Sequence, residues 1–153
     1  MKATGMKASN LRKRTPLRAA NASAFTEPLL APVSAGELID KITILAIKTE
    51  RVQNVQKRLM AAQELALLHL TAGPLLADPA VASLMAALSQ VNLALWNIED
   101  ALRACEQRQF FDAEFIELAR KVYFTNDERA RLKNAVNAAA GSALIEVKEH
   151  PEY

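Results

Sequence analysis

Val81, Leu84, Leu88, Val91, Leu95, Ile98, Leu102 and Cys105 follow one another at strictly alternating steps of three and four residues. Only an α-helix brings such positions onto one line, and the alternation is that of the a and d sites of a coiled-coil heptad. The spacing therefore predicts a helix over 79–108 with one apolar seam that other helices must cover. Asp78-Pro79 supplies its start, since the aspartate can cap free amides and proline at the first helical position has no N–H to waste. With its full-length seam, this segment is expected to be the central helix of a bundle.

The flanking sequence is helical as well. Ser34-Ala35-Gly36-Glu37 reads as a capping box, with the serine oxygen accepting from the Glu37 amide and the glutamate reaching back to the cap amide. Leu38, Ile42, Leu45, Val52 and Leu59 then fall on one face, predicting a first helix over 35–71, with room for one break, that Gly73-Pro74 stops. Asp112 caps a third helix over 113–140 carrying Phe115, Leu118, Val122, Leu132, Val136 and Ala139, and Gly141 ends it. Only 4 glycines and 5% aromatics in 153 residues argue against a sheet. Short connections make successive helices antiparallel. The expected fold is all-α: an up-down-up antiparallel three-helix bundle or long α-hairpin over 34–153, onto which Leu144, Ile145 and Val147 of the tail 142–153 dock.

Residues 1–33 have no sustained periodicity and are read as a disordered basic leader, punctuated by Pro16, Pro28 and Pro32. Lys2, Lys7, Arg12, Lys13, Arg14 and Arg18 precede the first acid, Glu27, which puts +5 on the leader and −3 on the remainder of a chain whose net charge is +2. Nucleic acid or an anionic surface is thus a partner for the leader alone, and its lack of acids also resembles a transit peptide. No apolar run approaches the ~20 residues of a membrane span, and no secretory signal is seen. One cysteine and two histidines, His69 and His150, assemble neither a disulfide, a zinc cluster nor a Cys-His nucleophile. No motif calls for a cofactor or a metal. The expectation is a soluble, cytoplasmic protein, as a monomer or a homodimer formed through its amphipathic helices.

The third helix breaks its own pattern. Its heptad runs through 125 and 129, where Thr125 and Arg129 stand, and a charge in an apolar seam must find a partner, reach water or face a ligand. An antiparallel turn near Phe110-Phe111 sets Asn92 opposite Arg129, Trp96 opposite Thr125 and Asn126, and Glu99 level with Val122 and Tyr123. The same construction on the turn near residue 75 sets Arg51 level with Glu99 and Lys48 level with Asp100. Asn92, Trp96, Glu99 and Arg103 make a polar stripe, answered by Asn126, Arg129, Lys133 and Asn137. Two readings follow. In one, Arg51, Asn92, Trp96, Glu99, Tyr123, Asn126, Arg129 and Lys133 line a waist that holds a carboxylate, phosphate or sugar; in the other, Arg51, Arg129 and Lys133 pair with Glu99 and Asp100 and only fix helix register. Whether the chain is an enzyme stays open, since the adjacent carboxylates Glu99-Asp100 point about 100° apart and make no ready acid/base pair.

Several segments carry a resemblance: Pro32-Val33-Ser34-Ala35-Gly36-Glu37-Leu38-Ile39-Asp40-Lys41-Ile42-Thr43-Ile44-Leu45, Val91-Asn92, Leu95-Trp96-Asn97-Ile98-Glu99-Asp100, Phe115-Ile116-Glu117-Leu118-Ala119-Arg120, Val122-Tyr123, Asn126-Asp127 with Arg129-Ala130, Leu132-Lys133 and Asn137, and the end with Glu146 and Lys148. With these the chain resembles, from about Pro32 onward, an uncharacterised bacterial domain-of-unknown-function family numbered six-one-six-five. The resemblance implies a small helical binding or interaction module, accessory to surface-polysaccharide and glycosyltransferase pathways and partnered by a protein of glycan biosynthesis; it implies no catalytic residue. A looser likeness of Leu38-Ile39-Asp40 with Lys48 and Arg51 to the first helix of all-helical chorismate mutases frames the alternative, a small helical enzyme that binds an anionic substrate between helices.

Overall fold

The computed structural model describes residues 29–147. The expectations for residues 1–28, with most of the basic leader, and for 148–153, with His150, lie outside the described residues. Among the described residues there are four helices: α1 (Ala35–Arg51), α2 (Val55–Leu76), α3 (Pro79–Arg108) and α4 (Ala113–Ala139). They belong to one compact unit that begins at Pro32.

The predicted first helix is two helices. Val52 leaves helical geometry, and Asn54 restarts the chain by accepting a hydrogen bond from the Lys57 amide. The break shifts the helical phase, so Leu59, expected on the buried face, is exposed on α2. Gly73-Pro74 does not stop α2, which continues to Leu76. Proline gives up one backbone bond there, while Leu75 and Leu76 beyond it pack against the core and hold the last turn. The other ends obey their local signals. Asp78 accepts from the amides of Ala80 and Val81, and Asp112 from those of Glu114 and Phe115. After Ala139 the chain closes on Gly141 at a φ of 60°, a left-handed turn that glycine adopts without a Cβ clash.

Long-range contacts set the directions. Leu38, Ile39 and Ile42 of α1 share a core with Ala72 of α2, so these helices run antiparallel. Along α1, Thr43 meets Asn92 and Arg51 meets Asn97, so α1 and α3 ascend together. Gly36 meets Asn137 and Asp40 meets Arg129, so α4 descends. The described residues form an up-down-up-down set of four helices rather than a three-helix bundle. Both α1 and α3 touch all three of the other helices, so α3 shares the central place expected for it with α1. The heptad of α3 remains a core seam, with Val81, Leu88, Leu95 and Cys105 buried. Asp40 and Thr43 interrupt the apolar pattern of α1, yet both are buried because each has a hydrogen-bond partner inside.

Two smaller expectations are corrected. Leu144, Ile145 and Val147 stay exposed rather than docking. The tail is held by polar contacts instead: Ser142 Oγ accepts from the Ala35 amide at 3.3 Å, and Glu146 lies 2.6 Å from Lys133. Ala139, placed on the inward face of the last helix, is exposed, and Val136 and Asn137 fill that level.

Candidate functional site

Ser34 and Gly36 begin α1 against α4. A Cβ on Gly36 would lie 2.3 Å from the Lys133 carbonyl oxygen, so only glycine lets the two helices approach this closely. The bared Gly36 amide donates to Asn137 Oδ1 at 2.6 Å. Ser34 Oγ accepts from the Glu37 amide at 3.2 Å, but Glu37 does not close the capping box; its carboxylate turns to Lys133 Nζ at 2.5 Å. Lys133 is thus buried between Glu37 and Glu146. Burial pushes its ammonium pKa down, yet the hydrogen bonds to Glu146 and Glu37 outweigh that and hold it above the usual lysine range.

Farther along α1, Asp40 is 3% exposed and faces α4. Arg129 Nε donates to its Oδ1 at 2.9 Å and Nη2 to its Oδ2 at 2.6 Å, a bidentate clasp. Asn92 on α3 donates to Asp40 Oδ1 at 2.8 Å and to Thr43 Oγ1 at 2.9 Å. Thr43 Oγ1 in turn donates to the Asp40 carbonyl oxygen at 2.8 Å. One carboxylate therefore ties three helices together. That hydrogen bonding, with the nearby carboxylate charges, raises the guanidinium pKa of Arg129 further still, against the opposing effect of burial.

Beside this clasp a cleft of about 340 Å³ opens between α1, α3 and α4. Ile44, Ile47 and Leu95 give it apolar wall; Asn92, Trp96, Glu99, Asp100, Arg103, Asn126 and Arg129 give it polar wall. The charges are mostly spoken for. Arg129 holds Asp40, and Arg103 holds Glu99 at 2.8 Å. Asp100 has no ion-pair partner among the described residues. Arg129 Nη1, not used on Asp40, lies 3.5 Å from Asn126 Oδ1.

Of the residues singled out from sequence, Asn92, Trp96, Glu99, Asn126 and Arg129 line this cleft together. Arg51 does not; it is exposed and donates to Asn97 at 3.4 Å. Lys133 lies elsewhere, between Glu37 and Glu146. Tyr123 packs beside Phe124 at 4.7 Å outside the cleft and is exposed. The register network also changes partners, because Arg129 takes Asp40 and not Glu99 or Asp100, whose helix carries Arg103 for Glu99 instead. Asp40 and Thr43 are site residues that the sequence reading passes over. Their signal is present: polar residues three apart on the otherwise apolar inner face of the first helix. Among the described residues no cluster of His, Cys, Asp and Glu is arranged to hold a metal ion.

Fold and site define a class: a small all-α protein in which a buried Asp–Arg clasp anchors one wall of a tryptophan-lined cleft. The chain belongs to a family of unknown function, DUF6165, whose profile matches residues 30–151. Comparisons with curated proteins and with solved structures give no match.

Proposed function

We propose that this protein is a binding module whose cleft takes a neutral, hydroxyl-rich ligand, a mono- or disaccharide, and that it serves surface-glycan assembly in the cytoplasm as an accessory to glycosyltransferases. The observation that carries the reading is Trp96 in the wall of the 340 Å³ cleft, among amides and carboxylates and beside cations that already have partners. An indole surface suits the apolar face of a sugar ring, while Asn92, Asn126 and Asp100 offer donors and acceptors to its hydroxyls. The volume falls at the low end of the ~300–1,000 Å³ of small-molecule sites, which fits one or two rings. The alternative, an enzyme gripping an anionic substrate, needs a free cation. Both arginines of the cleft are instead paired, and Asp100 adds a negative charge, so a phosphate or dicarboxylate is disfavoured.

Trp96 is the chain's single tryptophan, so its fluorescence reports on the cleft directly. The test is titration of the full chain with neutral mono- and disaccharides, nucleotide-sugars, inorganic phosphate and dicarboxylates. A saturable emission change with neutral sugars, parallel calorimetric binding that Trp96→Ala removes, and no response to phosphate are expected. A response to phosphate or dicarboxylates without one to neutral sugars would establish the anion site, and silence towards every sugar would end the saccharide reading.

A further inference from the structure

Asp40 decides which atoms of its neighbours are left for the cleft. The Asn92 amide has one possible orientation. Its nitrogen donates to Asp40 Oδ1, a carboxylate oxygen that only accepts, and to Thr43 Oγ1, whose own proton goes to the Asp40 carbonyl oxygen. The amide oxygen therefore points away from Asp40. Asn92 is 5% exposed and lines the cleft, and its Oδ1 has no partner among the described residues. An acceptor so enclosed is costly to leave without a donor.

Arg129 is fixed by the same carboxylate. Its Nε and Nη2 are spent on Asp40, which leaves Nη1 on the other edge of the guanidinium, 3.5 Å from Asn126 Oδ1 and at the outer limit of a hydrogen bond. Asn126 is itself anchored, since its Nδ2 donates to the Val122 carbonyl oxygen at 3.0 Å. A donor on α4 and an acceptor on α3 thus stand on two walls of the cleft. One helical turn along α1 from Asp40 and Thr43, Ile44 and Ile47 set an apolar patch beside Leu95.

We infer that the cleft recognises an acetamido group, so that its saccharide is an N-acetylated amino sugar; the inference rests on the saccharide reading above. A trans secondary amide turns its C=O and N–H to opposite sides. It can therefore accept from Arg129 Nη1 on α4 and donate to Asn92 Oδ1 on α3 at once, with its methyl against Ile44, Ile47 and Leu95. Other sugar substituents meet only part of this arrangement. An ammonium has no acceptor to offer Arg129, a carboxylate has no proton for Asn92, and a hydroxyl leaves the apolar patch uncovered. Because Asp40 balances the charge of Arg129, Nη1 serves a neutral carbonyl without calling for an anion.

The test is calorimetric and tryptophan-fluorescence titration of the full chain with N-acetylglucosamine, N-acetylgalactosamine, glucose, glucosamine and uridine. The group is varied on the ligand because substituting Asn92 or Arg129 would disturb the contacts of Asp40. An N-acetyl sugar is expected to bind at least ~10-fold more tightly than glucose or glucosamine, from the added hydrogen bonds and the covered methyl. Ile44→Ala, a change at a half-buried position of the patch, should reduce that ratio and leave glucose binding as it was. Glucose binding as tightly as the N-acetyl sugars would overturn the inference and leave the saccharide reading standing. Glucosamine doing so would overturn it and give Asp100 an ammonium. A response to uridine without one to N-acetyl sugars would overturn it in favour of a nucleobase, and silence towards every sugar would remove both readings.

Discussion

Arg129 reaches across from α4 to close two parallel hydrogen bonds on the buried carboxylate of Asp40 in α1. Removing one partner strands the other. Arg129→Met leaves a carboxylate that is 3% exposed with only Asn92 beside it, and is expected to cost about 3–5 kcal/mol in urea unfolding. The double change Asp40→Leu with Arg129→Met is expected to recover most of that loss, since apolar replacement of both ions removes the stranded charge. A double variant no more stable than the single one would show that the clasp contributes more than charge compensation.

Gly36→Ala is expected to destabilise the fold by about 1–3 kcal/mol, the usual cost of overpacking. The added carbon meets backbone, the Lys133 carbonyl oxygen, and not a side chain that could swing away. An unchanged urea midpoint would mean that α1 and α4 separate at little cost.

The stability of this protein should fall on the alkaline side through Lys133. Its pKa is raised in the folded state, so its contribution is complete below the ordinary lysine value of ~10.4 and is lost as pH rises through the higher folded value. Urea midpoints measured from neutral pH upward should therefore drop above pH ~10 in the wild type. Lys133→Met, less stable at neutral pH, should show a shallower decline; parallel curves would place the alkaline loss elsewhere.

Leu88→Ala and Ile145→Ala should separate core from tail. Leu88 is fully buried in the seam of α3, and its truncation is expected to cost about 2–5 kcal/mol. Ile145 is exposed, and its truncation should stay within about 0.5 kcal/mol. A large effect at Ile145 would mean the tail docks after all.

Where α1, α3 and α4 begin, and how α3 meets α4, is legible in the order of residues alone. Ser34, Asp78 and Asp112 cap because a side-chain oxygen satisfies amides two or three residues on, an interaction complete within one turn. The tight turn after Arg108 likewise fixes a register by chain length, so Trp96 and Asn126 stand level by residue count, and the two share the cleft. Contacts between helices distant along the chain have no such local signal and come from packing. A first helix read as unbroken would put α1 antiparallel to α3; the break at Val52 inserts α2 as a separate descending helix, so α1 and α3 ascend together. An antiparallel and a parallel register agree only where they cross, near Arg51 and Asn97, and diverge toward Asp40. Counting residues therefore does not lead from Arg129 to Asp40. A lone aspartate within an apolar pattern has the same local signature whether it meets water or a guanidinium 89 residues away, and only packing brings the guanidinium there.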